Sequence, residues 1–153
     1  MLPAPLHKIL FTSFIALAAA GCGNEVDPDS PEGKRQAIFK KMLNHSEPMA
    51  GMLGDRLPYD AETFAAHAQR LQVLSSRPWD HFPEPGDNPQ RTAAEPAIWA
   101  DPLGFALRAS NFETAATLLA LKAGEGVDDP EILREPFQAV QQACKACHDD
   151  YRR

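Results

Sequence analysis

A chain of 153 residues, 44% apolar and 24% charged, has room for one domain with a real hydrophobic core and excludes a disordered or membrane-embedded protein. Its formal charge of −6 disfavours nucleic acid and anionic lipid surfaces, which reward clustered Lys and Arg.

In chain order, MLPAPLHK followed by the twelve-residue apolar run ILFTSFIALAAA predicts a secretion signal over residues 1–21, because the run is too short to cross a bilayer. The segment carries one of the fifteen basic residues and none of the twenty-one acidic ones, so its removal leaves a formal charge of −7. Ala19, Ala20 and Gly21 before Cys22 resemble the lipobox of bacterial lipoproteins, although Ala19 stands where that pattern prefers Leu. The resemblance implies acylation of Cys22 and a lipid as the sole membrane attachment. The alternative is an ordinary signal peptide cut after a small residue. Residues 22–30 are polar, acidic and proline-containing, which suits a tether.

The rest, 31–153, reads as four helical segments with no convincing strand. The first runs from Pro31, with Ser30 as N-cap, to about Asn44; Pro48 predicts either a kink or a stop near His45 with a restart capped by Ser46. The second opens at the N-cap Asp60 and reaches about Ser75, with Phe64, Ala68, Leu71 and Leu74 on one face. Residues 77–96 hold five of the fourteen prolines and read as a long loop whose Trp79 and Phe82 could bury themselves against the body. Asp101 and Pro102 mark the start of the third helix, which continues to about Lys122. The fourth begins with Asp129 as N-cap before Pro130 and runs to the C-terminus, with Pro136 predicting a kink or a late start. Four such segments with one long middle connection predict an all-α antiparallel four-helix bundle.

The last helix ends in ACKACHDDYRR. There Cys144, Cys147 and His148 stand at i, i+3 and i+4 and share one face. Two thiols so placed can add to the two vinyl groups of a haem while the imidazole of His148 reaches the iron. Zinc would need further ligands, and His45, His67 and His81 are scattered singly. A redox pair would sit at a helix N-terminus, where the dipole lowers a thiol pKa. A disulfide from i to i+3 would be strained and would staple almost nothing. The motif therefore predicts one covalently attached haem c. No acid, base or nucleophile falls in a catalytic arrangement, so an enzyme is not expected.

With CKACHDDYR, RQAIF at 35–39, RPWDHF at 77–82 and AIWADPLGF at 97–105, the chain resembles the cytochrome c′ family over nearly all of residues 31–153. The resemblance implies a periplasmic homodimeric bundle with His148 as the proximal iron ligand. It also implies that Arg35 is a haem-site residue and that Phe39, four residues beyond it, covers the distal face, with Leu43 as a neighbour. A phenyl ring cannot ligate iron, so the implied site is five-coordinate, high-spin, and open to nitric oxide and carbon monoxide rather than dioxygen. Electron transfer with a redox partner protein is the family's older assignment. Trp79 matches a tryptophan near the haem or simply packs in the core. Arg152 matches an arginine that meets a propionate or an incoming molecule on the proximal side, or else serves the helix dipole. Trp99 and Tyr151 read as structural. The competing reading is a low-spin, six-coordinate electron carrier with Met42 on the iron, and Pro48 and Pro136 depart from the family's continuous helices.

Overall fold

The computed structural model describes residues 26–84 and 92–153. Among these are five helices, α1 (Pro31–Leu53), α2 (Ala61–Ser75), α3 (Ala97–Ala100), α4 (Pro102–Ala123) and α5 (Glu131–Tyr151), and one 3-10 turn at Trp79–His81. The four long helices make the expected antiparallel bundle, in which α1 packs on α2, α2 on α4 and α4 on α5. No described helix is long and apolar enough to cross a membrane.

Side-chain caps set the helix starts. The Ser30 hydroxyl accepts from the Gly33 N–H at 3.1 Å, Asp60 Oδ1 from Thr63 at 2.7 Å and Asp101 Oδ1 from Gly104 at 3.0 Å. Each satisfies a backbone donor that the helix leaves unpaired, and each is worth about 0.5–2 kcal/mol. Before α5 the N-cap is Pro130, not the expected Asp129; Asp129 Oδ1 still accepts from the Glu131 N–H at 3.0 Å, so it serves the helix start from one position further out. Gly104 is required by close approach, because a Cβ there would lie 2.0 Å from Asp101 Oδ2 and 2.7 Å from the Tyr151 hydroxyl.

Two alternatives left open at prolines are settled, and one expectation changes. First, of the kink or the stop expected at Pro48, the stop near His45 does not occur: α1 runs through Pro48 to Leu53. Met49, Met52 and Leu53 beyond the proline are all buried, and their burial holds the helix together where one backbone N–H is missing. Ser46 accordingly does not cap a new helix; its hydroxyl donates to the Leu43 carbonyl at 3.2 Å. Second, α5 runs through Pro136 without a late start, anchored by buried Leu133 before it and Phe137 after it. Third, the long loop is not wholly irregular, since it contains the turn at Trp79–His81 and gives way to the one-turn α3.

One hydrophobic core runs through the bundle, with Met42 and Met49 from α1, Phe64 from α2, Leu119 from α4 and Phe137 from α5 among its buried members. A second, smaller cluster of Ala94, Ile98 and Tyr151 lies where α3 meets α5. The chain end is tied down beside it. Ala94 bridges to Arg152, the Glu95 N–H donates to the Tyr151 carbonyl at 3.0 Å, and the Arg153 N–H donates to the Ala93 carbonyl at 2.9 Å.

Candidate functional site

Cys144, Cys147 and His148 lie on the last two turns of α5. Both thiols are free and half-buried. They back onto different walls: Cys144 packs against the main core, and Cys147 against the cluster of Ala94, Ile98 and Tyr151. Burial and then the neighbouring Cys147 push the Cys144 thiol up to about 11. Burial also raises Cys147, against the pull of the Arg108 guanidinium. Both therefore stay protonated S–H groups at neutral pH, unlike the thiolate of a redox pair. His148 is exposed by area, yet partial desolvation first, and Arg152 second, hold its imidazole below the ordinary histidine range against the opposing Asp149. A neutral ring keeps the nitrogen lone pair that a metal ligand needs.

Facing side chains form an aromatic wall. Phe39 of α1 is half-buried, with its ring 6.1 Å from Trp79 and 6.5 Å from Phe82, both edge-on. Phe105 of α4 continues the wall, 5.9 Å from Trp79, 5.0 Å from Phe82 and 5.3 Å from Tyr151, three residues beyond His148. Trp79 is fixed in orientation by its indole N–H, which donates to Glu113 Oε1 at 2.6 Å. Such edge-to-face pairs contribute roughly 0.5–1.5 kcal/mol each beyond their burial.

Arg35 is buried, 5% exposed, one turn before Phe39. Its guanidinium donates to the His81 carbonyl at 2.8 Å and to Thr92 Oγ1 at 2.5 Å, meets Glu32 at 3.6 Å, and lies 4.7 Å over the Phe82 ring. Burial lowers its pKa, opposed by Glu32. The structure thus gives Arg35 a second task, clamping the two sides of the long loop onto α1. Arg152 is exposed and ends α5, its backbone N–H donating to the His148 carbonyl at 3.1 Å.

Leu43 is corrected: it is 53% exposed and does not sit with Phe39 on the aromatic wall. Met42 is 6% exposed and belongs to the bundle core with Met49 and Met52. Cys22 lies outside the described residues. Glu113 and Thr92 were not legible from the sequence, for neither carries a motif or a periodic signal; each is recruited by a partner distant in the chain.

Two free thiols and a neutral imidazole on one helical face, next to an apolar aromatic wall, suit a haem. A family model described as Cytochrome C' matches residues 31–152. The chain belongs to the cytochrome c′ family.

A cytochrome c′ of Cereibacter sphaeroides is 33% identical over 147 residues, covering 94% of this chain and 95% of the relative. A nitric oxide complex of a point variant of the Alcaligenes xylosoxidans cytochrome c′ superposes with a TM-score of 0.72 at 32% identity, covering 82% of this chain and 98% of that one. A carbon monoxide-bound variant of that protein gives a TM-score of 0.73 at 31% identity, covering 84% and 98%. As a cytochrome c′, the chain is a c-type haem protein with covalently attached haem.

Proposed function

We propose that this cytochrome c′ binds nitric oxide and carbon monoxide at a five-coordinate, high-spin iron, with electron transfer as a further capacity. Cys144 and Cys147 would hold the haem, their two S–H groups facing different walls, and His148 would offer its neutral nitrogen to the iron. Bound there, the haem supplies an iron that takes a diatomic ligand and changes oxidation state.

The observation that carries the reading is the arrangement of α1. Phe39 stands in the aromatic wall, whereas Met42 is buried in the bundle core. A phenyl ring offers no lone pair to metal and no hydrogen-bond donor to a ligand, so it excludes water without replacing it. Dioxygen is retained best where a distal donor can reach it; nitric oxide and carbon monoxide need none. The complexes of the Alcaligenes protein with these two gases support the same reading. For Met42 to serve instead as a sixth ligand, it would have to leave the core, at a cost of about 2–5 kcal/mol if the void stayed unfilled.

Export to the bacterial periplasm, a lipid on Cys22 and a homodimer complete the proposal, supported by the leader sequence and the family membership. The absorption spectrum of the reduced protein before and after carbon monoxide tests it. A broad high-spin spectrum that sharpens with the gas is expected. A sharp low-spin spectrum indifferent to the gas would establish an internal sixth ligand and an electron carrier.

A further inference from the structure

Away from the haem residues, α1 and α2 bring two histidines together. His45 Nδ1 and His67 Nδ1 are 3.1 Å apart, with ring centroids 5.3 Å apart and tilted at 52°. Both residues are half-buried, so water reaches them. Neither contributes to the aromatic wall or to the cysteine motif.

The separation admits two uses. One ring can carry a proton on Nδ1 and donate it to the other, giving an ordinary hydrogen bond across the helix pair. The same 3.1 Å is also the distance between two adjacent nitrogens on one metal ion. For metal–nitrogen bonds of about 2.0–2.1 Å it corresponds to an angle at the metal of roughly 95–100°, between the square-planar and tetrahedral values. We propose that His45 and His67 form a pincer for a divalent transition-metal ion, bound through both Nδ1 atoms and independent of the haem.

Moving the bridging proton from Nδ1 to Nε2 by exchange with solvent leaves both rings neutral with both Nδ1 lone pairs free. His45 is held below the ordinary histidine range by burial, then by His67 and Arg70. Arg70 also repels a metal cation. The site therefore favours the ion with the strongest affinity for imidazole, Cu²⁺, over Zn²⁺ and Ni²⁺. No group of three or more His, Cys, Asp or Glu suited to a metal occurs among the described residues, so water fills the other positions and the ion is exchangeable. Bound, it would staple α1 to α2 on the helix that carries Phe39.

The test is a titration of the holoprotein with Cu²⁺, read by calorimetry and electron paramagnetic resonance. One ion per chain, a signature of two imidazole nitrogens and a raised unfolding temperature that returns to its starting value with excess chelator are expected. His45→Gln and His67→Gln should each remove the two-nitrogen signature. Each should weaken binding by more than the roughly tenfold that disturbing even an outer ligand costs. The haem absorption spectrum should stay unchanged in both, reporting an intact fold. Absence of stoichiometric binding, a one-nitrogen signature in the wild-type protein, or binding that survives both substitutions would overturn the site and leave the pair as a hydrogen bond between helices.

Discussion

On the proposed reading, Phe39 sets the chemistry of the site by what it lacks. Its ring is held by two edge-on contacts, to Trp79 and Phe82. At roughly 0.5–1.5 kcal/mol each, these contacts resist a ligand that must push the ring aside. Phe39→Ala removes both, and since about 1.4 kcal/mol is a factor of ten in rate, carbon monoxide association should quicken by about tenfold or more in flash photolysis. Unchanged kinetics would mean that another group is the barrier. At this scale the sequence was informative where chemistry is written in spacing: Cys144, Cys147 and His148 share a face because residues three and four apart must do so on a helix. It was silent on the clamp that Arg35 makes, whose partners His81 and Thr92 lie 46 and 57 residues away, and on the meeting of His45 with His67 across 22 residues. Contacts of that kind depend on how helices dock, which no local pattern records.

Helices whose ends are marked by chemistry were legible almost to the residue. Asp60 and the Asp101–Pro102 pair mark where α2 and α4 begin, since a carboxylate that accepts backbone N–H groups and a proline that lacks one are both favoured at a helix start. Prolines inside helices left two outcomes open. Pro48 predicts a kink or a break from local propensity, and the buried methionines on both sides of it decide against the break. The stored cost can be measured. Alanine is favoured over proline in a helix interior by about 3 kcal/mol, and the stiffer unfolded chain that proline provides offsets up to about 1 of these. Pro48→Ala should thus stabilise the holoprotein by about 2 kcal/mol in denaturant unfolding. A loss of stability instead would show that α1 needs a bend at Pro48 to seat Met49 and Met52. The one-turn α3 escaped the sequence reading because four residues are too few to display a helical period.

At the scale of the whole molecule, a formal charge of −6 disfavours an anionic membrane, so the proposed attachment is a covalent lipid. If Cys22 is acylated, the wild-type protein should sediment with membranes and Cys22→Ser should move it to the soluble fraction; a wild-type chain already soluble would remove the anchor from the account. The Arg35 clamp bears on motion. By gripping His81 and Thr92 from within a buried setting, Arg35 pins α1 to the long loop one turn away from Phe39. A sliding of α1 would have to break both bonds, whereas rotation of the Phe39 ring about its own torsions breaks neither. Helix displacements occur over microseconds to milliseconds, and side-chain rotations can be several orders of magnitude faster. On the proposed reading, the clock for gas entry is then the turning of one ring, with the rest of the helix standing still.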